Sequence, residues 1–289
     1  MVTLVQLRVI DAVRRHGSVT AAAKELRYTQ PSISHHLSRL EAQLGARLVQ
    51  RVGRGVRITP AGRLLADRAA EIIGRVDSAT AELAALVGLN TGRVRLAGFN
   101  SVMSSLVPQA ASLLAQQHPG LDLGLTDAHP EDALTQLRAG HVDVAVIFRY
   151  DDTTPEDDGV RLIHLLDDPL YLLTTGGGTT VAEHARTPWI AGCERCRSHL
   201  VEMCDKAGFS PNLACTTDDM VVMQSLVAAG MGVTTIPGLA LRAHRHPAVT
   251  ATRLPVPPRR VFAATYGEPP DPPATAALLA ALTDAVATH

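Results

Sequence analysis

Residues 27–40 read RYTQPSISHHLSRL. Within them Ile33, Leu37 and Leu40 recur after four and then three positions, one apolar stripe of a helix. Thr29 suits the N-cap, and Pro31 falls in the first turn, where its missing N–H costs nothing. The remaining face carries Gln30, Ser32, Ser34, His35, His36 and Arg39. So many hydroxyl, amide, imidazole and guanidinium groups on one side fit contact with something polar and negatively charged.

Upstream, Leu4, Leu7, Ile10 and Val13 define a helix over residues 4–16, stopped by Gly17. Ser18 caps a second helix, SVTAAAKELRY, whose Ala21, Ala22 and Ala23 permit close packing. A short polar turn thus joins two helices, a helix-turn-helix. Downstream, VGRGVRIT (52–59) sets Gly53 and Gly55 between β-formers, a small hairpin or wing with Arg51, Arg54 and Arg57 around it. Thr59-Pro60 opens a proline-free stretch that places Leu65, Ile72, Val76, Ala79, Leu83 and Leu86 near one face as far as GLNTG at 88–92. A helix this long needs a partner over its stripe, and self-pairing in a coiled-coil seam supplies one.

Charge divides the chain in the same place. Residues 1–60 hold ten Arg/Lys against three Asp/Glu, whereas residues 91–289 hold fourteen against twenty-one. A basic head on an acidic body implies a polyanion-binding part joined to a part that binds something else. No apolar run reaches the ~20 residues of a membrane span, so no membrane partner is expected. The N-terminal segment has no signal-peptide layout, and the cytoplasm is the expected compartment.

From Arg93 the pattern changes. GRVRLAGF, LDLGLTDA and VDVAVIF read as strands separated by helices of about ten residues, which implies a parallel sheet with helices on both faces. A second α/β set starts near residue 162, and a strand (RRVFAATY) and a helix (PATAALLAALTDAVATH) close the chain.

The order of these parts resembles the LysR-type transcriptional regulators. The resemblance is densest in AAAKELRYTQPSISHHLSRLEAQLGARLVQR (21–51) and GVRITPAG (55–62), and continues in LVPQAASLLAQQHPG, AGHVDVAVI and LVAAGMGVTTIP. Val49 departs from it, standing where an aromatic is common. The resemblance implies an α/β multidomain fold: a winged helix-turn-helix over 1–59, a linker and dimerisation helix over 60–90, and a periplasmic-binding-protein-like effector domain over 91–289. That domain divides into subdomain I (about 91–162 and 266–289) and subdomain II (about 163–265), with crossings near 162–165 and 261–266. The implied partners are double-stranded promoter DNA, a small-molecule effector and the chain itself, as a homodimer through 60–88 and a homotetramer.

On this reading Thr29–Gln43 is the recognition helix, entering the major groove by its N-terminal end. Gln30 suits adenine and Arg39 suits guanine or phosphate. Pro31, Ser32, Ser34, His35 and His36 lie along the contact face, although both histidines fit a solvated face equally well. Arg51 and Arg54 reach the neighbouring backbone from the wing.

In open α/β folds ligands sit beyond the carboxyl ends of strands. Asn100 and Ser101, then Phe148 and Arg149, then Thr216, Thr217 and Asp218 fall at such ends, and Ile236 closes the wall. Arg149 suits an anionic effector or a pairing with Asp151 or Asp152; Asp218 equally suits a helix cap. Cys193, Cys196, His199 and Cys204 have spacings compatible with zinc or a redox pair, and Arg195 and Arg197 could lower a thiol pKa. Buried structural thiols are the plainer expectation, and Cys215 falls in a strand. The leading expectation therefore has no metal and no cofactor. A thiol-based redox or metal sensor on the same scaffold, using Cys193, Cys196 and Cys204, is the alternative. An enzyme is not expected: there is no Walker loop, no G-x-S-x-G elbow, and TTGGGTT (174–180) lacks the Lys-Ser/Thr of a phosphate loop.

Overall fold

The structure, a computed structural model, describes residues 1–52, 55–86, 92–150 and 159–288. It divides into two compact units, Met1–Leu89 with Thr135–Val142, and Asn90–Leu134 with Asp143–His289.

The first unit begins with three helices, α1 (Leu4–His16), α2 (Val19–Leu26) and α3 (Gln30–Leu44). Each has a local start signal. Thr3 and Gln6 form a reciprocal capping box on α1, while Ser18 and Thr29 accept from Ala21 N and Ser32 N at the heads of α2 and α3. Gly17 and Gly45 end α1 and α3 in the left-handed region, where glycine carries no Cβ penalty. Arg27, at φ 58°, ends α2 in the same way. Ile10, Val13, Ala22, Ala23, Ile33, Leu37 and Leu40 form one buried core with Leu48 and the start of the next long helix.

A hairpin follows, β1 (Val49–Val52) and β2 (Gly55–Ile58), antiparallel with Val49 opposite Ile58. Then comes α4 (Pro60–Leu86). Thr59 ties hairpin to helix: its hydroxyl donates to Arg47 O at 2.7 Å and accepts from Gly62 N at 3.0 Å. Leu65, Ala66, Ala69 and Ile73 of α4 pack into the helical core. Leu64, Ile72, Val76 and Leu83 remain exposed. The apolar residues of α4 therefore serve two faces: Leu65 is spent on its own domain, while Ile72, Val76 and Leu83 keep the spacing of a seam.

The second unit holds two five-stranded sheets. Sheet I is built from β3 (Arg93–Gly98), α5 (Asn100–Met103), α6 (Leu106–Gln117), β4 (Asp122–Asp127), α7 (Pro130–Arg138), β5 (Val144–Arg149) and β6 (Val160–Asp168). Sheet II takes β7 (Leu170–Thr174), β8 (Trp189–Ala191), α8 (Glu194–Lys206), β9 (Leu213–Thr216), α9 (Met220–Ala228), β10 (Val233–Pro237), α10 (Gly238–Ala243) and β11 (Thr250–Arg253). The chain then returns through β12 (Arg259–Tyr266) and α11 (Pro273–Ala287). The strand orders are β4-β3-β5-β12-β6 and β11-β7-β10-β8-β9. β3, β4 and β5 are mutually parallel, and β12 runs antiparallel between β5 and β6.

The crossings fall at Pro169 and between Arg253 and Arg259, later on the way out and earlier on the way back than 162–165 and 261–266. The cause is the β6–β12 ribbon, which stays paired as far as Asp168 opposite Arg259. Those two residues, each 1% exposed, form an ion pair at 2.8 Å that fixes the ribbon's end.

Candidate functional sites

The apolar stripe of α3 is inside and its polar face outside. Ile33, Leu37 and Leu40 are buried, and Gln30, Pro31, His35, Ser38 and Arg39 are exposed. Ser32, Ser34 and His36 are half-buried, and Tyr28 meets the His36 ring edge-on at 5.9 Å. Two rows result from the i, i+4 geometry: Gln30, Ser34 and Ser38 in one, His35 and Arg39 in the other. The first row lines a groove of about 710 Å³ whose other walls are Ser18, Val19 and Thr20 at the head of α2, and Arg47, Val49, Gln50, Gly55 and Val56 of the hairpin. Ser18, Thr20, Ser38, Arg47 and Gln50 are members that the sequence reading missed. Ser38 was recoverable, since it continues the Gln30–Ser34 row. Arg51 lies in β1, but its side chain, like the whole of Arg54, lies outside the described residues. At the start of α3 Pro31 has no N–H and that of Ser32 is capped by Thr29, so what this end of the helix offers an anion is the positive end of its dipole.

The crevice of the second unit is crossed by several contacts. Arg195, at the head of α8, donates to Phe148 O at 3.0 Å and is paired with Glu131 of α7. His129 Nε2 lies 3.1 Å from Asp218 Oδ2. Tyr150, one residue beyond β5, stacks on His199 of α8 with ring centroids 3.8 Å apart. Leu239 N donates to Asp168 Oδ1 at 3.0 Å, joining α10 to the end of β6.

The residues expected around an effector divide in this setting. Asn100, Thr216 and Asp218 are exposed, and Thr217 and Arg149 are half-buried. Ser101 is fully buried, its hydroxyl accepting from Arg259 at 2.6 Å. Phe148 is 2% exposed, edge-on to Phe99 at 4.8 Å, with the Arg259 guanidinium 4.5 Å from its centroid. Ile236 belongs to the core of sheet II with Leu173, Ile190 and Met223. The helix cap considered for Asp218 is made by its neighbour: Asp219 accepts from Val221 N and Val222 N at 2.8 and 3.1 Å. Asp151 and Asp152 lie outside the described residues.

The cysteines also separate. Cys193 and Cys196 lie together at the head of α8 with their sulfurs 3.1 Å apart. Cys204 is buried in the core of sheet II with Leu200 and Met203. The cation acting on Cys196 is Arg259; Arg195 is engaged with Glu131, and Arg197 with Glu194 at 2.6 Å. Among the described residues no group of three or more His, Cys, Asp or Glu is placed to hold a metal ion.

Two family profiles match almost end to end. Residues 4–63 match the bacterial regulatory helix-turn-helix protein, lysR family, and residues 88–287 match the LysR substrate binding domain. The chain belongs to the LysR family. Among its relatives, a probable hydrogen peroxide-inducible genes activator of Mycobacterium avium is 30% identical over 250 residues, 83% of this chain and 79% of its own. The CmpR transcriptional activator of a Synechocystis strain is 30% identical over 173 residues, 60% of this chain and 55% of its own. The LysR-family regulator CbnR has the same fold at 21% identity, with a TM-score of 0.68 and 99% of both chains covered. A full-length OxyR from Pseudomonas aeruginosa gives 0.73 at 21% identity, covering 99% of this chain and 95% of its own. CbnR has also been solved in complex with its target DNA; in that form it gives 0.66 at 22% identity, covering 98% and 100%. Among the described residues no helix is long and apolar enough to cross a membrane.

Proposed function

We propose that this LysR-family regulator binds double-stranded promoter DNA through α3, its Gln30, Pro31, Ser32, Ser34, His35, His36 and Arg39 meeting the major groove. Arg51 and Arg54 of the wing hold the adjacent backbone. The observation that carries this reading is the outward polar face of α3 on a helix whose Ile33, Leu37 and Leu40 are buried. The N-terminal segment acts as the DNA-binding domain (1–59), the long helix as a dimerising linker (60–90) and the remainder as the sensor (91–289). Its place of action is the cytoplasm, and its role is regulation and not catalysis.

The exposed stripe of Ile72, Val76 and Leu83 supports self-pairing along α4, and a dimer of such dimers gives a tetramer. A small effector enters the crevice between the two sheets, meeting Asn100, Arg149, Thr216, Thr217 and Asp218, with Ser101, Phe148 and Ile236 as the wall behind. An anion fits beside Arg149. The effector trades its own contacts for those that cross the crevice, which is how its binding shifts the balance between two arrangements. Binding to the DNA flanking the protein's own gene, compared at two salt concentrations with Arg39→Ala, tests the DNA half. Calorimetric titration with small carboxylates, compared with Arg149→Ala, tests the sensor half. Of the alternative based on cysteine, the paired thiols favour a redox form confined to Cys193 and Cys196, with Cys204 outside it.

A further inference from the structure

Residues 220–267 contain no Asp or Glu, although the remainder of residues 91–289 is rich in both. The same stretch carries Arg242, Arg245, Arg253, Arg259 and Arg260, with His244 and His246. Arg259 is buried on Asp168, and Arg260 is half-buried beside the Phe262 ring. Arg242, His244, Arg245 and Arg253 are exposed. Other arginines of the second unit are neutralised: Arg93 by Asp122, Arg95 by Asp143, Arg161 by Asp271 and Arg197 by Glu194. Among the described residues no carboxylate pairs with Arg242, Arg245 or Arg253.

The fold gathers these three cations at one corner of sheet II. Ala240 and Leu241 of α10, Val249 of the turn after it and Ala251 of β11 share one small core. Arg242 follows Leu241 in α10, and Arg245 lies in the turn. Residues two apart in a strand face the same way, so Arg253 stands on the side of the sheet where Ala251 meets α10. β11 is the outermost strand of that sheet. Gln224 of α9, fully buried, holds the turn: its amide donates to His244 O at 3.0 Å and accepts from His246 N at 2.8 Å. Arg245, between those two residues, therefore projects from a fixed backbone, which lowers the ordering cost of binding.

Guanidinium groups without a carboxylate suit phosphate oxygens, which they meet in bidentate fashion. A protein partner wants an apolar anchor at the centre of its contact, and no large apolar side chain of residues 238–253 is exposed. A duplex backbone needs no such anchor. We propose that Arg242, Arg245 and Arg253 bind the phosphate backbone of duplex DNA flanking the segment that α3 reads. The proposal rests on the promoter-binding reading and adds to it a second contact that is blind to sequence. Each phosphate neutralised releases condensed cations and adds about 0.9 to the steepness with which binding falls with salt. The contact therefore strengthens binding to long duplexes at low salt and leaves the choice of sequence to α3.

The test follows the binding constant of the full-length protein against salt on two duplexes that share one site from the DNA flanking its gene, about 20 and about 60 base pairs long. The wild type is compared with the triple variant Arg242→Ala, Arg245→Ala, Arg253→Ala. On the long duplex the variant's log–log salt slope should be shallower by at least about 2, and on the short duplex the two proteins should agree. Lysine at the three positions should restore most of the slope, because counterion release depends on charge. Equal slopes on the long duplex, an equal loss on both duplexes, or no restoration by lysine would each overturn the proposal while leaving promoter binding intact. Equal slopes with poly-glutamate bound by the wild type and not by the variant would assign the corner to an acidic protein instead. A wild type that binds neither duplex would remove the promoter-binding reading and this proposal together.

Discussion

The Asp168 carboxylate ties three elements of the second unit together, β6, β12 and α10. One carboxylate oxygen accepts from Arg259 Nε and Nη2 at 2.9 and 2.8 Å, and the other accepts from Leu239 N at 3.0 Å. Arg259 in turn lies over Phe99 and Phe148 and donates to Ser101. Removing the carboxylate strands a buried guanidinium, which costs about 3–5 kcal/mol. Asp168→Ala should lower the midpoint of urea unfolding accordingly; an unchanged midpoint would show that water reaches Arg259. The same scale governs Cys196. Its thiol faces Cys193, Tyr150 and Arg259, with Asp218 opposing. Alkylation of Cys196 should therefore rise with pH through about 7, because the reactive thiolate is the deprotonated form. A midpoint near 9, the ordinary thiol value, would remove the influence assigned to those neighbours.

Among the elements, the joint between hairpin and α4 is closely packed. A Cβ added to Gly62 would overlap the carbonyl of Leu48 and press on the Ile58 side chain. Gly62→Ala should destabilise the DNA-binding unit by about 1–3 kcal/mol, read as a lowered thermal midpoint. Further along α4, Ile72→Glu with Val76→Glu should abolish self-association in analytical ultracentrifugation while leaving helix content unchanged. Persistence of the dimer would place the seam elsewhere. The helices of residues 1–45 were legible because their caps, stops and apolar stripes are all local: Thr3, Ser18 and Thr29 begin them, and Gly17 and Gly45 end the first and third. The outward crossing was less legible. RLIHLLDDPLYLLTT is one run of β-formers, and only Pro169 marks the change of sheet within it. Ser101 shows the limit most clearly: a polar residue at a helix start looks ready for a ligand, but the group that occupies it, Arg259, stands 158 residues away. The thiol pair was visible as spacing alone; that its cation comes from Arg259, and not from the adjacent arginines, depends on how β12 returns beside β5.

At the scale of the whole molecule the division of charge is the governing fact. The first sixty residues are strongly basic and the sensor portion is acidic, so attraction to DNA is strongest in the segment that carries α3. That attraction releases counterions and weakens as salt rises, whereas discrimination among sequences rests on the few side chains that reach base edges. Arg39 is an exposed cation of that face. The most direct measurement is fluorescence anisotropy on the DNA flanking the gene and on a scrambled duplex, at two salt concentrations, for the wild type and Arg39→Ala. The account predicts selective binding by the wild type that weakens with salt, and a loss of about 1–3 kcal/mol in the variant with relaxed selectivity. Equal affinity of wild type and variant for both duplexes would contradict the assignment of α3 as the element that reads the promoter.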